Sequence, residues 1–104
     1  MDYRVLITDD AYEDLDNILY HLLFVLKNDQ AAKSVLDDFE LTIHRLSQVA
    51  GSLKLCENPK LHAKGYRRLE FGKHNYFVLY RIVNDTVVVD NLFHSLQDFS
   101  NTMS

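Results

Sequence analysis

The chain has 104 residues, 47% of them hydrophobic and 25% charged, an ordinary globular composition that excludes a disordered polypeptide and suits one compact core. Its single cysteine, Cys56, excludes an intrachain disulfide and a multi-thiolate zinc site. The net charge of −4 hides a split: residues 1–50 carry four bases against ten acids, whereas all seven bases of residues 51–104 lie between Lys54 and Arg81, opposed there only by Glu57 and Glu70. This +5 segment is a local positive surface on an otherwise acidic chain, a pattern that argues against a general nucleic-acid coat. No basic region leads into an apolar run at the N-terminus, and no apolar stretch reaches the ~20 residues that span a bilayer. The expectation is a cytoplasmic protein with no signal peptide and no membrane partner.

Tyr3 to Ile7 is short and rich in β-formers and reads as a strand. Asp10 and Glu13 have the spacing of a capping box, and Ala11, Leu15, Ile18, Leu19, Leu22 and Leu26 then fall on one helical face. The helix is expected to stop near Lys27-Asn28, with Asn28 as a left-handed cap. Asp29 is the expected cap of a second helix, whose stripe is Ala32, Leu36, Phe39, Ile43, Leu46 and Ala50, with Gly51 as its stop. So short a joint predicts an antiparallel helical hairpin. Tyr12, Tyr20, Leu23 and Phe24 widen the apolar surface of the first helix, so that either both its faces are buried or a partner covers one.

Residues 52–64 lack a period, hold the only proline and read as a loop. Three strand-like runs follow, Gly65 to Phe71, Asn75 to Val83 and Thr86 to His94, the last two joined by an Asn84-Asp85 turn. Residues 95–104 read as a turn and a flexible tail. The order β-α-α-β-β-β predicts a single α+β domain over residues 1–104, with the helical hairpin packed on one face of a small, mainly antiparallel sheet.

That order, together with YRVLITDDAYEDL, GYRRLEFGKHNYFVLYRI and TVVVDNLFHSLQDF, resembles the RelE/ParE superfamily, the toxins of bacterial type II toxin–antitoxin modules. The matching positions are Gly65, Arg67, Arg68, Tyr80, Arg81, His94 and Asp98. The resemblance implies a growth inhibitor and plasmid-stabilisation element neutralised by a cognate antitoxin that wraps it, as a homodimer or a toxin–antitoxin heterotetramer. Many ribonuclease members carry an arginine within the strand where this chain has Tyr76-Phe77, and YoeB-like members supply an acid near the C-terminus that Ser95 and Leu96 do not replace. The match is therefore better to ParE-like members, which implies DNA gyrase as the target. The alternatives are a ribosome-dependent mRNA interferase and, in a different class, a non-toxic dimeric interaction module.

RNA cleavage of this type needs a base for the 2′-hydroxyl, cations for the phosphorane and an acid for the leaving oxygen. For a metal-independent ribonuclease the candidates are His94 as acid, Glu70 as base, and Arg67, Arg68 and Arg81 on phosphate. Adjacent strand residues face opposite sides, so only one of Arg67 and Arg68 can join that site. Lys64, Arg67, Arg68, Lys73 and Arg81 are equally the candidate contacts to an acidic antitoxin or target. His94 has a plainer role open to it, pinning the following turn through Asp98. Tyr66, Phe71, Tyr76, Phe77 and Tyr80 alternate along the strands as core residues do. Glu40 and His44 are a helical pair without the second histidine of a metal motif, and neither a metal nor a cofactor is expected.

Overall fold

The computed structural model describes residues 2–95. In chain order it contains β1 (Arg4–Ile7), α1 (Asp9–Tyr20) continued by a π-helical turn (His21–Val25), α2 (Asp29–Val49) closed by a 3-10 turn (Ala50–Ser52), α3 (Pro59–Ala63), β2 (Arg67–Glu70), β3 (Tyr76–Val83) and β4 (Thr86–His94). The four strands form one sheet in the order β1-β4-β3-β2. β1 runs parallel to β4, while β2–β3 and β3–β4 are antiparallel hairpins. The expected α+β order is present, with the α1–α2 hairpin on one face of a mixed sheet and the short α3 on the other.

The helix ends are set by polar side chains one or two residues from those the sequence singles out. Thr8, not Asp10, caps α1: its hydroxyl accepts from the Ala11 N–H at 3.1 Å and donates to the Asp90 carbonyl at 3.1 Å. β1 runs into α1 without a spacer, because the Thr8 N–H still bonds Val89, so the hydroxyl sits at the junction. Asn28, not Asp29, caps α2 by accepting from Ala31 at 3.0 Å. With Asn28 committed to α2, Lys27 takes the left-handed conformation expected of Asn28, at φ 51°. The Asn28 N–H then closes back on the Leu22 carbonyl at 2.8 Å, ending the first helix in a Schellman-type turn.

The stretch 52–64 is not all loop. Asn58 accepts from the N–H groups of Lys60 and Leu61, and Pro59 occupies the first turn of α3. Gly65, at φ 81°, and Tyr66 close α3 rather than begin β2, which is why that strand is shorter than its apolar run.

Two cores lie on opposite faces of the sheet. On the helical face Ala11, Leu15, Val35, Phe39 and Leu46 pack on Leu69, Val78, Tyr80, Val87, Val89 and Leu92. On the outer face Cys56 and Leu61 cover Phe77, Leu79 and Phe93. Strand alternation would put Leu92 on the outer face, but the ladder slips between the pairs Leu79–Asn91 and Tyr80–Val89, leaving Asp90 unopposed. This bulge returns Leu92 to the helical core.

One polar tie fastens the helices to the β2–β3 turn. The Asp38 carboxylate, 3% exposed, accepts from the N–H groups of Gly72, Lys73 and His74 at 2.9–3.1 Å. The Ser34 hydroxyl and His74 Nε2 stand 2.9 Å apart beside it.

Candidate functional site

The sheet divides the candidate residues between its two faces. Arg67 pairs with Tyr80 and points to the helical side, where its guanidinium donates to the Ala50 carbonyl at 3.2 Å. The Tyr80 hydroxyl donates to the same oxygen at 2.8 Å. Ala50 follows α2, so both bonds satisfy a carbonyl that the helix itself leaves unpaired. Burial pushes the Tyr80 hydroxyl up to about 12, the Arg67 charge acting in the opposite direction.

Arg68, the next residue, lies on the outer face. Its guanidinium carbon stands 3.7 Å from the centre of the Phe77 ring, and it pairs with Glu70. The second Glu70 oxygen accepts from the Ser95 hydroxyl at 3.0 Å. Farther along the same face Arg81 Nε donates to Asp90 at 2.8 Å, which holds the guanidinium more firmly charged than usual. The bulge supplies this partner, because it is Asp90 that β3 leaves unopposed. The Tyr66 hydroxyl lies beside the pair, its pKa raised by burial and then by Asp90.

His94 is not with these groups. It pairs with Tyr76, and the two rings meet edge to face with centroids 5.4 Å apart. With Asp14, Asn17 and Ile18 of α1 it lines a cavity of about 280 Å³ on the helical side. Asp14 accepts there from the Asn91 side chain at 3.1 Å and from the Leu92 N–H at 3.0 Å. The sheet therefore stands between the His94 imidazole and the outer guanidinium groups of Arg68 and Arg81. Asp98 lies outside the described residues.

Lys64 closes α3 and Lys73 sits in the β2–β3 turn, both exposed. Between the segment 53–58 that precedes α3 and Arg68 of β2 is a cleft of about 420 Å³, with Leu53, Leu55 and Cys56 on its apolar wall and Lys54 and Arg68 at its rim. Burial raises the Cys56 thiol pKa, against the opposing pull of Arg68. Among the described residues no cluster of three His, Cys, Asp or Glu could hold a metal ion, and no helix is long and apolar enough to cross a membrane. Sequence reasoning missed Asp38 and Asp90, and took Tyr66 as a core aromatic rather than as a neighbour of the Arg81–Asp90 pair. Asp38 had a signal, a carboxylate inside the buried Val35, Phe39, Thr42, Leu46 stripe.

A four-stranded mixed sheet in the order β1-β4-β3-β2 with a helical hairpin packed on one face matches the RelE/ParE-like class of toxin folds. Residues 5–99 match the family model "ParE toxin of type II toxin-antitoxin system, parDE", and the chain belongs to that family. It is similar in structure to a chain of the chromosomal ParDE toxin–antitoxin system from P. aeruginosa, with a TM-score of 0.73 and 22% identity over 88% of this chain and 95% of that one. It is also similar to a chain of the toxin–antitoxin complex RelBE2 from Mycobacterium tuberculosis, with a TM-score of 0.60 and 23% identity over 90% of this chain and 99% of that one. At these identities the likeness is one of fold. No curated protein matches the sequence significantly.

Proposed function

We propose that this chain is a growth-inhibiting toxin, neutralised by a cognate antitoxin, that acts by binding DNA gyrase rather than by cutting RNA. Its family supports the antitoxin partner and the ParE-like target. The observation that carries the choice of binding over cleavage is the separation of His94 from Arg68 and Arg81 by the sheet. Cleavage of one phosphodiester requires acid, base and cations around the same phosphate. Here the imidazole faces α1, and Arg67 is turned to a helix carbonyl. Arg68, paired with the exposed Glu70, and Arg81, itself 40% exposed beside the largely buried Asp90, serve as charge-assisted anchors for an acidic segment of the antitoxin or target, with Lys64 and Lys73 at the margins.

The test sets a gyrase supercoiling assay beside a translating-ribosome cleavage assay, with wild type and His94→Gln. The expected result is inhibition of supercoiling by the wild type and inhibition by the variant in proportion to its folded fraction. Codon-positioned cleavage by the wild type that drops ~10²–10⁴-fold in the variant would instead establish the ribonuclease reading.

A further inference from the structure

β1 is one of the sheet's two edge strands, and only one of its sides is paired. The Arg4 N–H donates to the Asp85 carbonyl at 3.1 Å and the Thr8 N–H to the Val89 carbonyl at 3.0 Å. By the two-residue period, Arg4, Leu6 and Thr8 turn their backbone groups to β4, and Val5 and Ile7 turn theirs outward. Among the described residues no hydrogen bond from a loop or helix reaches the Val5 or Ile7 N–H. Edges are normally blunted by shortness, charge, a proline or a bulge; β1, Arg-Val-Leu-Ile, is short and carries a charge only at Arg4, with no lysine, proline or bulge along it. Instead it is flanked by apolar surface on both sides: Leu6, 51% exposed, on the outer face, and Tyr12, 48% exposed, beside Ile7 on the helical face.

We infer that this edge is a self-association surface, on which β1 of a second copy of the chain pairs antiparallel about a two-fold axis at Leu6. That register sets Val5 opposite the partner's Ile7, so that the outward N–H groups of each copy meet the outward C=O groups of the other. Leu6 meets its own symmetry mate, the close non-hydrogen-bonded pair in which apolar side chains touch. The register also sets Arg4 opposite the partner's Thr8, the cap that precedes the exposed Asp9 and Asp10 of α1. Among the described residues Arg4, Asp9 and Asp10 make no side-chain hydrogen bond or ion pair within their own chain. A base at the start of the edge and two acids just past its end are complementary to themselves when the strand is reversed, as an isologous contact requires. This charge arrangement is what selects a second copy over a foreign strand. A four-residue strand buries less than the ~1,000 Å² of a stable interface, so the dimer is weak and forms at high concentration.

The experiment is sedimentation equilibrium of the isolated full-length chain over a wide concentration range, with amide exchange read at both extremes. The expected result is reversible dimerisation, with the Val5 and Ile7 amides gaining protection at high concentration while Leu6, already bonded to β4, changes little. Leu6→Lys, at an exposed position, should weaken dimerisation at least tenfold with an unchanged melting temperature. Arg4→Glu and the double variant Asp9→Arg, Asp10→Arg should each be monomeric alone. Mixed together they should form a heterodimer, because both of its charge contacts are then attractive. A monomer at every concentration overturns the inference. So does a dimer that survives Leu6→Lys and Arg4→Glu, or protection that arises at residues other than Val5 and Ile7.

Discussion

Arg67 and Arg68 are neighbours in the chain whose guanidinium groups lie on opposite faces of the sheet. Arg67 donates to the Ala50 carbonyl behind the helices, and Arg68 stacks on Phe77 in front. One is tied into the fold and the other lies on the outer face proposed above as the antitoxin anchor, which makes the pair a discriminating place to test that proposal. Arg67→Ala should destabilise the protein by about 1–2 kcal/mol, because it removes a charge-assisted bond to a helix-end carbonyl. It should leave the rates of antitoxin binding unchanged once the folded fraction is accounted for. Arg68→Ala and Arg81→Ala should keep stability within about 1 kcal/mol, since their ion pairs are partly exposed. They should weaken antitoxin binding roughly tenfold or more. Thermal melts beside surface-immobilised binding kinetics check both halves.

Asp38 joins α2 to the β2–β3 turn through three backbone N–H groups. Asp38→Ala should cost about 2–4 kcal/mol, the loss of charged acceptors in a buried position softened by water reaching the exposed turn. Asp38→Asn should cost less, since one amide oxygen still accepts. Urea denaturation gives both values. Equal stability of all three proteins would mean that the turn holds without the carboxylate.

The Tyr80 hydroxyl has an alkaline signature. Its folded pKa of about 12 lies above the ~10 of an exposed tyrosine, so the stability it brings is complete below pH ~10 and is lost as pH rises toward ~12. The loss across that window is on the order of 2–3 kcal/mol. Tyr80→Phe removes this dependence. At neutral pH it should cost about 1 kcal/mol, because Arg67 still donates to Ala50. Between pH 10 and pH 12 the variant should therefore lose less stability than the wild type. Denaturant melts of both proteins at pH 7, 10 and 11.5 measure the crossover.

Phe39 and Leu36 share the apolar stripe of α2 but not its burial. Phe39 is 4% exposed and packs on Phe71 with ring centroids 6.2 Å apart, so Phe39→Ala should cost about 3–5 kcal/mol. Leu36 is half-buried on the wall of a cleft of about 300 Å³ between α1 and α2. Leu36→Ala should cost closer to about 2 kcal/mol. Chemical denaturation separates them, and equal losses would place both side chains in the same environment.

Period and punctuation in the sequence determined the order of the four strands and two long helices, the helical hairpin and the two apolar stripes, though not the short α3, because local backbone preference and the side-chain repeat are properties of neighbouring residues. Alternation alone already required Arg67 and Arg68 to part company. The ordered set from Tyr3 to His94 carried the family. What only the tertiary structure decided concerns partners far apart in the chain. Thr8 is fixed as the cap because its hydroxyl also donates to the backbone carbonyl of Asp90, 82 residues away. Asp38 was buried because three amides of a distant turn converge on it. The slip between Leu79 and Tyr80 put Asp90 against Arg81 and Leu92 in the core. His94 faced away from the arginines because its ladder partner is Tyr76, on the helical side. Hydrogen bonds and packing between sequence-distant groups depend on register, and a single extra residue in one strand changes which face every later side chain meets.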